Sequence, residues 1–209
     1  MEKDTKRMNQ ITTEALARFA SKHEARERAL RVSREVVRNS ANAIRAVHRN
    51  ELDQAQGMVE STSKLVAETQ DLLRDHPDLY FTGFTQDALK EYTESRTVYA
   101  FIAGTPLPGP DELGVPVAPY LNGLAEAASE LRRYILDSLR RDDDSRCEEL
   151  MGKMDEVYNM MVVMDFPDAL TGGLRRTTDA LRAVLERTRG DLTLAVRQRR
   201  LEQRLAARE

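Results

Sequence analysis

Two stretches of the sequence combine acidic side chains at helical spacing with an apolar stripe on the opposite face. In residues 86–101, three acids fall within one ~60° sector, at about 100° per residue. In residues 120–133, two acids lie one helical turn apart. Brought together, the two acidic faces would form an oxygen-only cluster of the kind that binds Mg²⁺. The acids are Asp87, Glu91 and Glu94 in the first stretch, and Glu126 and Glu130 in the second.

Such a cluster has a defined chemistry. Neighbouring carboxylates raise each other's pKa unless a cation neutralises them. Mg²⁺ or Mn²⁺ bound by a few carboxylates leaves positions for phosphate oxygens and lowers the pKa of a bound water. The predicted reaction is therefore phosphodiester hydrolysis. Acids at this spacing are also common on solvated helix faces, so the spacing alone leaves that alternative open.

Other catalytic motifs are absent from the sequence. The three histidines, His23, His48 and His76, are far apart, and none lies in an HExxH or ExxH motif, which argues against zinc-peptidase and di-iron sites. There is no glycine-rich phosphate loop and no GxSxG. Cys147 has no disulfide partner and no neighbour that would activate a thiol. Catalysis would fall to the carboxylates and a metal ion.

The elements that carry these acids are predicted to be helices. The chain has 209 residues, of which 32% are charged and 5% aromatic, without Trp, and its apolar residues recur at helical spacing. Residues 104–119 are dense in Gly and Pro and are expected to form one long irregular loop. Long helices are predicted at about 12–49, 51–74, 85–103, 116–141, 145–164 and 168–207, with a break in the last at Gly172 and Gly173.

The fold expected from these helices is all-α, a single-domain antiparallel bundle of about six to seven long helices over residues 1–209. Residues 1–10 and 200–209 are expected to be flexible ends. Since no apolar run approaches the ~20 residues that span a bilayer and the N-terminus is charged, we expect a cytoplasmic protein without a membrane partner.

The first long helix carries five arginines within ~60° of one another, with little acid beside them. A one-sign stripe of this length predicts a surface that follows a phosphate backbone, although a solvated face is an equal alternative. The net charge of −3 and the pI of about 5.8 give no independent indication of nucleic-acid binding. The candidate RNA-binding residues are Arg31, Arg34, Arg38, Arg45 and Arg49.

Four stretches of the sequence resemble, in order, those of one known family. Residues 23–49 contain HEARERALRVSREVVRNSANAIRAVHR, and residues 90–94 contain KEYTE, which is similar to a QEYxEA segment. Residues 119–131 are similar to DYLxGxxDLxGEL, and residues 179–192 contain DALRAVLERTRGDL. Together they resemble the translin family, and more closely its Trax branch (translin-associated factor X) in the single-chain form of archaea.

The resemblance implies a translin-like fold and a set of roles. Glu91, Glu94 and Glu126 would be catalytic, metal-binding acids, and Glu130 beside them would support the same centre as a fourth acid. The chain would form a closed homo-oligomer, an octamer in this family, that encloses RNA with the acids facing its lumen. The arginine stripe would then line the inner wall. One departure is Glu126 itself, because Trax usually has Asp there.

The sequence therefore supports a primary hypothesis and two alternatives. The first is an endoribonuclease that uses Mg²⁺ or Mn²⁺ to cleave single-stranded or short RNA. The second is a translin-like oligomer that binds RNA or single-stranded DNA without cleaving it. The third is a helical scaffold whose arginines contact protein or solvent.

Overall fold

The chain folds entirely into helices and turns in the part that the computed structural model describes, residues 2–207, where there are nine helices and no strand. Six helices are long and three are single turns. This confirms the all-α class. The helices are α1 (Glu2–His48), α2 (Leu52–Leu72), α3 (Pro77–Tyr80), α4 (Gly83–Ala103), α5 (Pro110–Leu113), α6 (Val117–Leu139), α7 (Cys147–Val162), α8 (Asp168–Thr171) and α9 (Leu174–Ala206).

The α4 helix lies in the middle of the bundle. It packs against α1 and α2 on one side and against α6 on the other, and α6 in turn packs against α7 and α9. One continuous apolar cluster includes residues from all six long helices. The core face of α1 consists of apolar residues at helical spacing, all of which are buried: Ala29, Val32, Val36, Ala43, Ile44 and Val47.

The first helix begins earlier than the sequence pattern predicts. It starts at Glu2 instead of near residue 12, since residues 2–11 contain neither Pro nor Gly to stop it. Side-chain bonds one turn apart, such as Gln10 to Glu14 at 2.9 Å, support this extension. Residues 1, 208 and 209, at the extremes of the predicted flexible ends, lie outside the described residues. The flexibility of both ends stays a prediction.

The composition of the Gly- and Pro-rich segment at residues 104–119 predicts an irregular loop, but part of the segment is ordered. It contains the one-turn helix α5, which begins with Pro110 in the first turn, where the missing N–H costs nothing. The Glu112 carboxylate accepts a hydrogen bond of 2.6 Å from the Gly109 N–H and caps this turn. Local capping therefore creates order where composition predicts none.

The α7 helix uses its methionines as core residues, with one exception. Met154 and Met161 are buried, whereas Met160 is 37% exposed. Cys147, at the start of α7, is also buried, and burial raises the pKa of its thiol to about 11. This agrees with the absence of a predicted chemical role for that residue. Within the described chain, no helix is both long and apolar enough to cross a membrane.

Candidate metal centre and nucleic-acid interface

The site lies where α4 and α6 approach each other, and a glycine permits that approach. A Cβ atom at Gly123 would stand 2.5 Å from the Lys90 carbonyl oxygen and 2.8 Å from the Thr93 Cβ. Distances below 3.0 Å are too short for real Cβ contacts. Only glycine therefore lets the backbone of α6 lie directly against α4, one turn from the acids of both helices.

The translin resemblance assigns four acids to the site, and three of these converge across this crossing. Each of Glu91, Glu94 and Glu126 offers a carboxylate oxygen, and these oxygens all lie within 4.8 Å of one another. Glu91 and Glu94 are on successive turns of α4, and Glu126 is on α6. All three are half-buried. The oxygen-only donor set, open on one side to solvent, fits a hard divalent cation such as Mg²⁺ or Mn²⁺.

Glu94 is the acid most affected by this clustering. Burial raises the pKa of its carboxyl group to about 8, and the charges of Glu91, Glu126 and Glu130 contribute to the increase. Glu94 is therefore largely protonated at neutral pH in the metal-free chain. The part of this increase that comes from the neighbouring acids would be reversed by a bound cation.

Lys90 partly neutralises the other two acids. Its ammonium nitrogen lies 2.8 Å from Glu126 Oε1 and 2.6 Å from Glu126 Oε2, and 3.3 Å from Glu91 Oε1. Burial tends to lower the Lys90 pKa, but the bonds and charges of Glu126 and Glu91 outweigh it and raise the pKa. The ammonium group therefore stays protonated and adds one positive charge to the acidic cluster.

The fourth predicted acid, Glu130, faces a different partner. His48 Nε2, from the last turn of α1, lies 2.6 Å from Glu130 Oε1, and the His48 side chain is only 4% exposed. Arg133 lies 3.5 Å away on the same helix. Burial would raise the Glu130 pKa, but the His48 bond and the charges of His48 and Arg133 lower it overall. Glu130 borders the cluster, and its charge acts on Glu94.

A groove of ≈ 920 Å³ leads away from the cluster between α4, α6 and the α8–α9 junction. Lys90 and Glu126 line one end of it, and Arg176 lies along α9. The buried Asn122 connects α6 to the α8–α9 side of the groove through two hydrogen bonds. Its amide N–H donates to the Thr171 carbonyl oxygen at 2.8 Å, and its amide oxygen accepts from the Thr177 hydroxyl at 2.7 Å. The groove therefore meets the cluster at Lys90 and Glu126.

The predicted arginine stripe is exposed along α1. Among the described residues, no carboxylate lies within ion-pair distance of Arg31, Arg34 or Arg38, so these three charges face solvent. Arg45 donates to Asn42 at 2.7 Å, and Arg49 is bound by both carboxylate oxygens of Glu51. Arg45 is also less than one turn from His48, which contacts Glu130. The C-terminal end of the stripe therefore lies beside the acidic site.

Lys90 and His48 were missed as site residues by sequence reasoning. A lysine directly before Glu91 is typical of an i,i+1 neighbour on a solvated helix, so its type and position alone indicate no role. His48 meets Glu130 across 82 residues, and no local spacing encodes such a pair. The buried amide of Asn122 had a weak signal, since it lies beside Gly123 in the segment that resembles the translin family.

Comparisons with known proteins agree with the fold and with the resemblance. The chain matches AfC3PO in complex with duplex RNA at 32% identity and a TM-score of 0.84, over 90% of this chain and 97% of that one. AfC3PO alone matches at the same identity and coverage, with a TM-score of 0.83. The chain belongs to the translin/C3PO family.

Two further relatives add less. Apo-NeC3PO is 20% identical with a TM-score of 0.79, over 88% of this chain and 96% of that one, which supports the fold alone. An uncharacterized protein of Methanocaldococcus jannaschii is 27% identical over 189 residues, which are 90% of this chain and 83% of that protein. No protein-family model matches the chain.

Proposed function

We propose that this member of the translin/C3PO family is a metal-dependent endoribonuclease of the Trax branch that cleaves single-stranded or short RNA. The observation that carries the proposal is the convergence of Glu91, Glu94 and Glu126 from two helices onto one space. A relative of 32% identity has been solved with duplex RNA, which supports RNA as the ligand. The three acids would supply the cation ligands for a metal-dependent phosphodiester hydrolysis.

Each group has a role in this proposal. A divalent cation held by Glu91, Glu94 and Glu126 would polarise a phosphoryl oxygen and lower the pKa of a bound water. Without a cation Glu94 holds a proton near neutral pH, and it would release this proton when it becomes a ligand of the cation. Glu130, oriented by His48, adds negative charge beside Glu94.

The arginine stripe would hold the RNA backbone. Arg31, Arg34 and Arg38 present planar guanidinium groups without an internal partner in the described chain, and these are suited to phosphate oxygens. Because the stripe ends beside His48, an RNA strand bound along α1 would pass the acids at the α4–α6 crossing. Arg45 and Arg49 would extend this contact toward the site once their present partners are exchanged.

We extend the proposal to a closed homo-octamer that encloses RNA, with the acids facing the lumen. Large apolar side chains on the first half of α1, including Leu16 and Phe19, are exposed in the single chain and favour burial against further copies. Binding of single-stranded DNA and a cytoplasmic location stay predictions.

One observation favours the non-catalytic alternative. Lys90 and the raised pKa of Glu94 already offset much of the acidic charge without a metal ion. A translin-like particle that only binds RNA would be stable in that state. It predicts salt-sensitive RNA binding that survives Glu91→Ala and Glu94→Ala and needs no divalent cation.

Cleavage of a labelled single-stranded RNA separates the two functions. We expect wild type to cleave it with Mg²⁺ or Mn²⁺ and to be inactive with chelator. Glu94→Gln should lower the rate by at least ~100-fold, because it replaces a charged ligand of the cation with a neutral amide. Glu60→Gln, an exposed change on α2, is the matched control and should retain activity. If wild type binds RNA but does not cleave it in the presence of a divalent cation, the proposed nuclease function is wrong.

A further inference from the structure

Lys90 is the residue that the candidate metal centre leaves unexplained. Its ammonium nitrogen contacts both oxygens of Glu126, at 2.6 and 2.8 Å, and lies 3.3 Å from Glu91. These are two of the three acids that would bind a cation. The Lys90 side chain is only 23% exposed, so its charge sits within the cluster and not in bulk solvent.

A divalent cation and the Lys90 ammonium group compete for the same oxygens. Two positive groups that share a carboxylate in a half-buried site repel each other strongly, because solvent screening there is weak. Metal binding to Glu126 therefore requires that the ammonium group leave it. Lysine is suited to such a move, since it is a point charge on a flexible four-carbon stem.

The groove offers the displaced ammonium group a destination. Lys90 and Glu126 both line the ≈ 920 Å³ groove that opens from the cluster, and Arg176 lies farther along it. A phosphate group that reaches Glu126 from the groove would pass Lys90, and a freed ammonium group would meet a phosphate oxygen there. Lysine is a common phosphate ligand in proteins.

A purely structural role for the ion pair explains less. In a half-buried ion pair, the desolvation of the two charged groups offsets much of their attraction, so the net contribution to stability is small. The α4–α6 contact is already made by the backbone approach at Gly123 and by the buried core around it. The lysine is therefore not needed to hold the two helices together.

We propose that Lys90 exchanges partners when a divalent cation binds, from the Glu126 carboxylate to a phosphate group of the bound RNA. Lys90 would thus set the metal affinity of the free protein and bind substrate in the metal-loaded protein. The inference rests on the proposed function, because it assumes a cation at the acids and RNA beside them.

The test replaces Lys90 with neutral residues and measures binding instead of cleavage. Mn²⁺ affinity is measured by isothermal titration calorimetry for wild type, Lys90→Gln and Lys90→Met. RNA affinity is measured by fluorescence anisotropy with a labelled single-stranded RNA in Ca²⁺. The control is Lys153→Gln, which removes a lysine paired with Glu156 at 2.9 Å on the surface of α7.

Partner exchange predicts that removal of Lys90 increases the affinity for Mn²⁺ and decreases the affinity for RNA. Both Lys90 variants should bind Mn²⁺ about tenfold more tightly, because the competing charge is gone. They should bind RNA about threefold to tenfold more weakly, and the slope of log affinity against log salt should decrease by about 0.7 to 1. Lys153→Gln should change neither affinity.

Three results would overturn the inference. Unchanged or weaker Mn²⁺ binding by both Lys90 variants would mean that the ammonium group does not compete. Unchanged RNA affinity in Ca²⁺ would mean that it contacts no phosphate. Either result would leave the proposed nuclease intact if wild type still cleaves RNA. Failure of wild type itself to bind Mn²⁺ would refute the nuclease and the exchange together.

Discussion

Glu94 is the residue whose ionisation reports most directly on the cluster. Its pKa is about 8 in the folded chain, against an ordinary value of 4.5. The folded state therefore holds this proton more tightly than the unfolded chain does. By linkage, the free energy of unfolding that Glu94 contributes is highest below about pH 4.5 and falls as pH rises to about 8.

This shift makes the thermal stability of the metal-free protein depend on pH through one residue. Between about pH 5.5 and about pH 8.5, the Tm of wild type should fall by at least about 3 °C more than that of Glu94→Gln, which cannot titrate. Circular dichroism melts in chelator measure this difference. Glu60→Gln should behave as wild type. Equal pH dependence of wild type and Glu94→Gln would mean that neither burial nor the neighbouring acids raise the pKa of Glu94.

At this scale the sequence predicts which acids share a helix face, but not what they contact. The spacing of Glu91 and Glu94 follows from the helical repeat. By contrast, Lys90 meets Glu126 across 36 residues and His48 meets Glu130 across 82, so both pairs depend on how the helices cross. Glu130 was predicted as a fourth ligand from its spacing, and its contact with His48 is a tertiary effect.

The α4–α6 crossing is the element on which the site depends. Gly123→Ala would place a methyl group 2.5 Å from the Lys90 carbonyl oxygen, and backbone cannot yield as a flexible side chain does. We expect a loss of about 1–3 kcal/mol in the free energy of unfolding. We also expect a lower cleavage rate, because the two helices that carry the acids must separate.

Urea denaturation measures the stability change. Gly152→Ala on α7 is the matched control, since a Cβ there meets nothing within 4 Å. That variant should be neutral or up to about 1 kcal/mol more stable. If Gly123→Ala is as stable as Gly152→Ala, the helices do not approach as closely as described.

The long helices follow from the sequence more readily than their boundaries do. Apolar spacing predicts six long helices because each must bury one face. The start of α1 and the existence of α5 depend on local capping and on the absence of a stop signal, which a hydrophobic pattern does not report. Residues 104–119 show this, since Glu112 orders a turn within a Pro-rich segment.

At the scale of the whole molecule, the arginine stripe should account for much of the RNA affinity. Replacing Arg31, Arg34 and Arg38 with Gln removes three charges that are unpaired in the described chain. The slope of log affinity against log salt should fall by about 2. Fluorescence anisotropy at several salt concentrations measures it. The control removes three exposed charges of α9, at Arg182, Arg187 and Arg204. An equal decrease of the slope in this control would mean that RNA binding depends on net charge and not on the arginine stripe.

Assembly is a second whole-molecule prediction. Leu16 and Phe19 are 66% and 70% exposed on the first half of α1, which a lone chain leaves in water. Replacing both with Glu should lower the particle mass measured by sedimentation velocity, because it charges an apolar surface. Ala17→Glu, which points away from this surface at about 100° per residue, should leave the mass unchanged. A double variant with the mass of wild type would exclude this surface from the interface.

The most direct test of the central claim is the position of a bound cation. Crystals grown with Mn²⁺ give anomalous difference density that locates the ion without reference to activity. We predict a peak between α4 and α6, coordinated by Glu91 or Glu94 together with Glu126, with Lys90 moved away from Glu126. Density elsewhere, or ligands from one helix only, would contradict a shared metal centre.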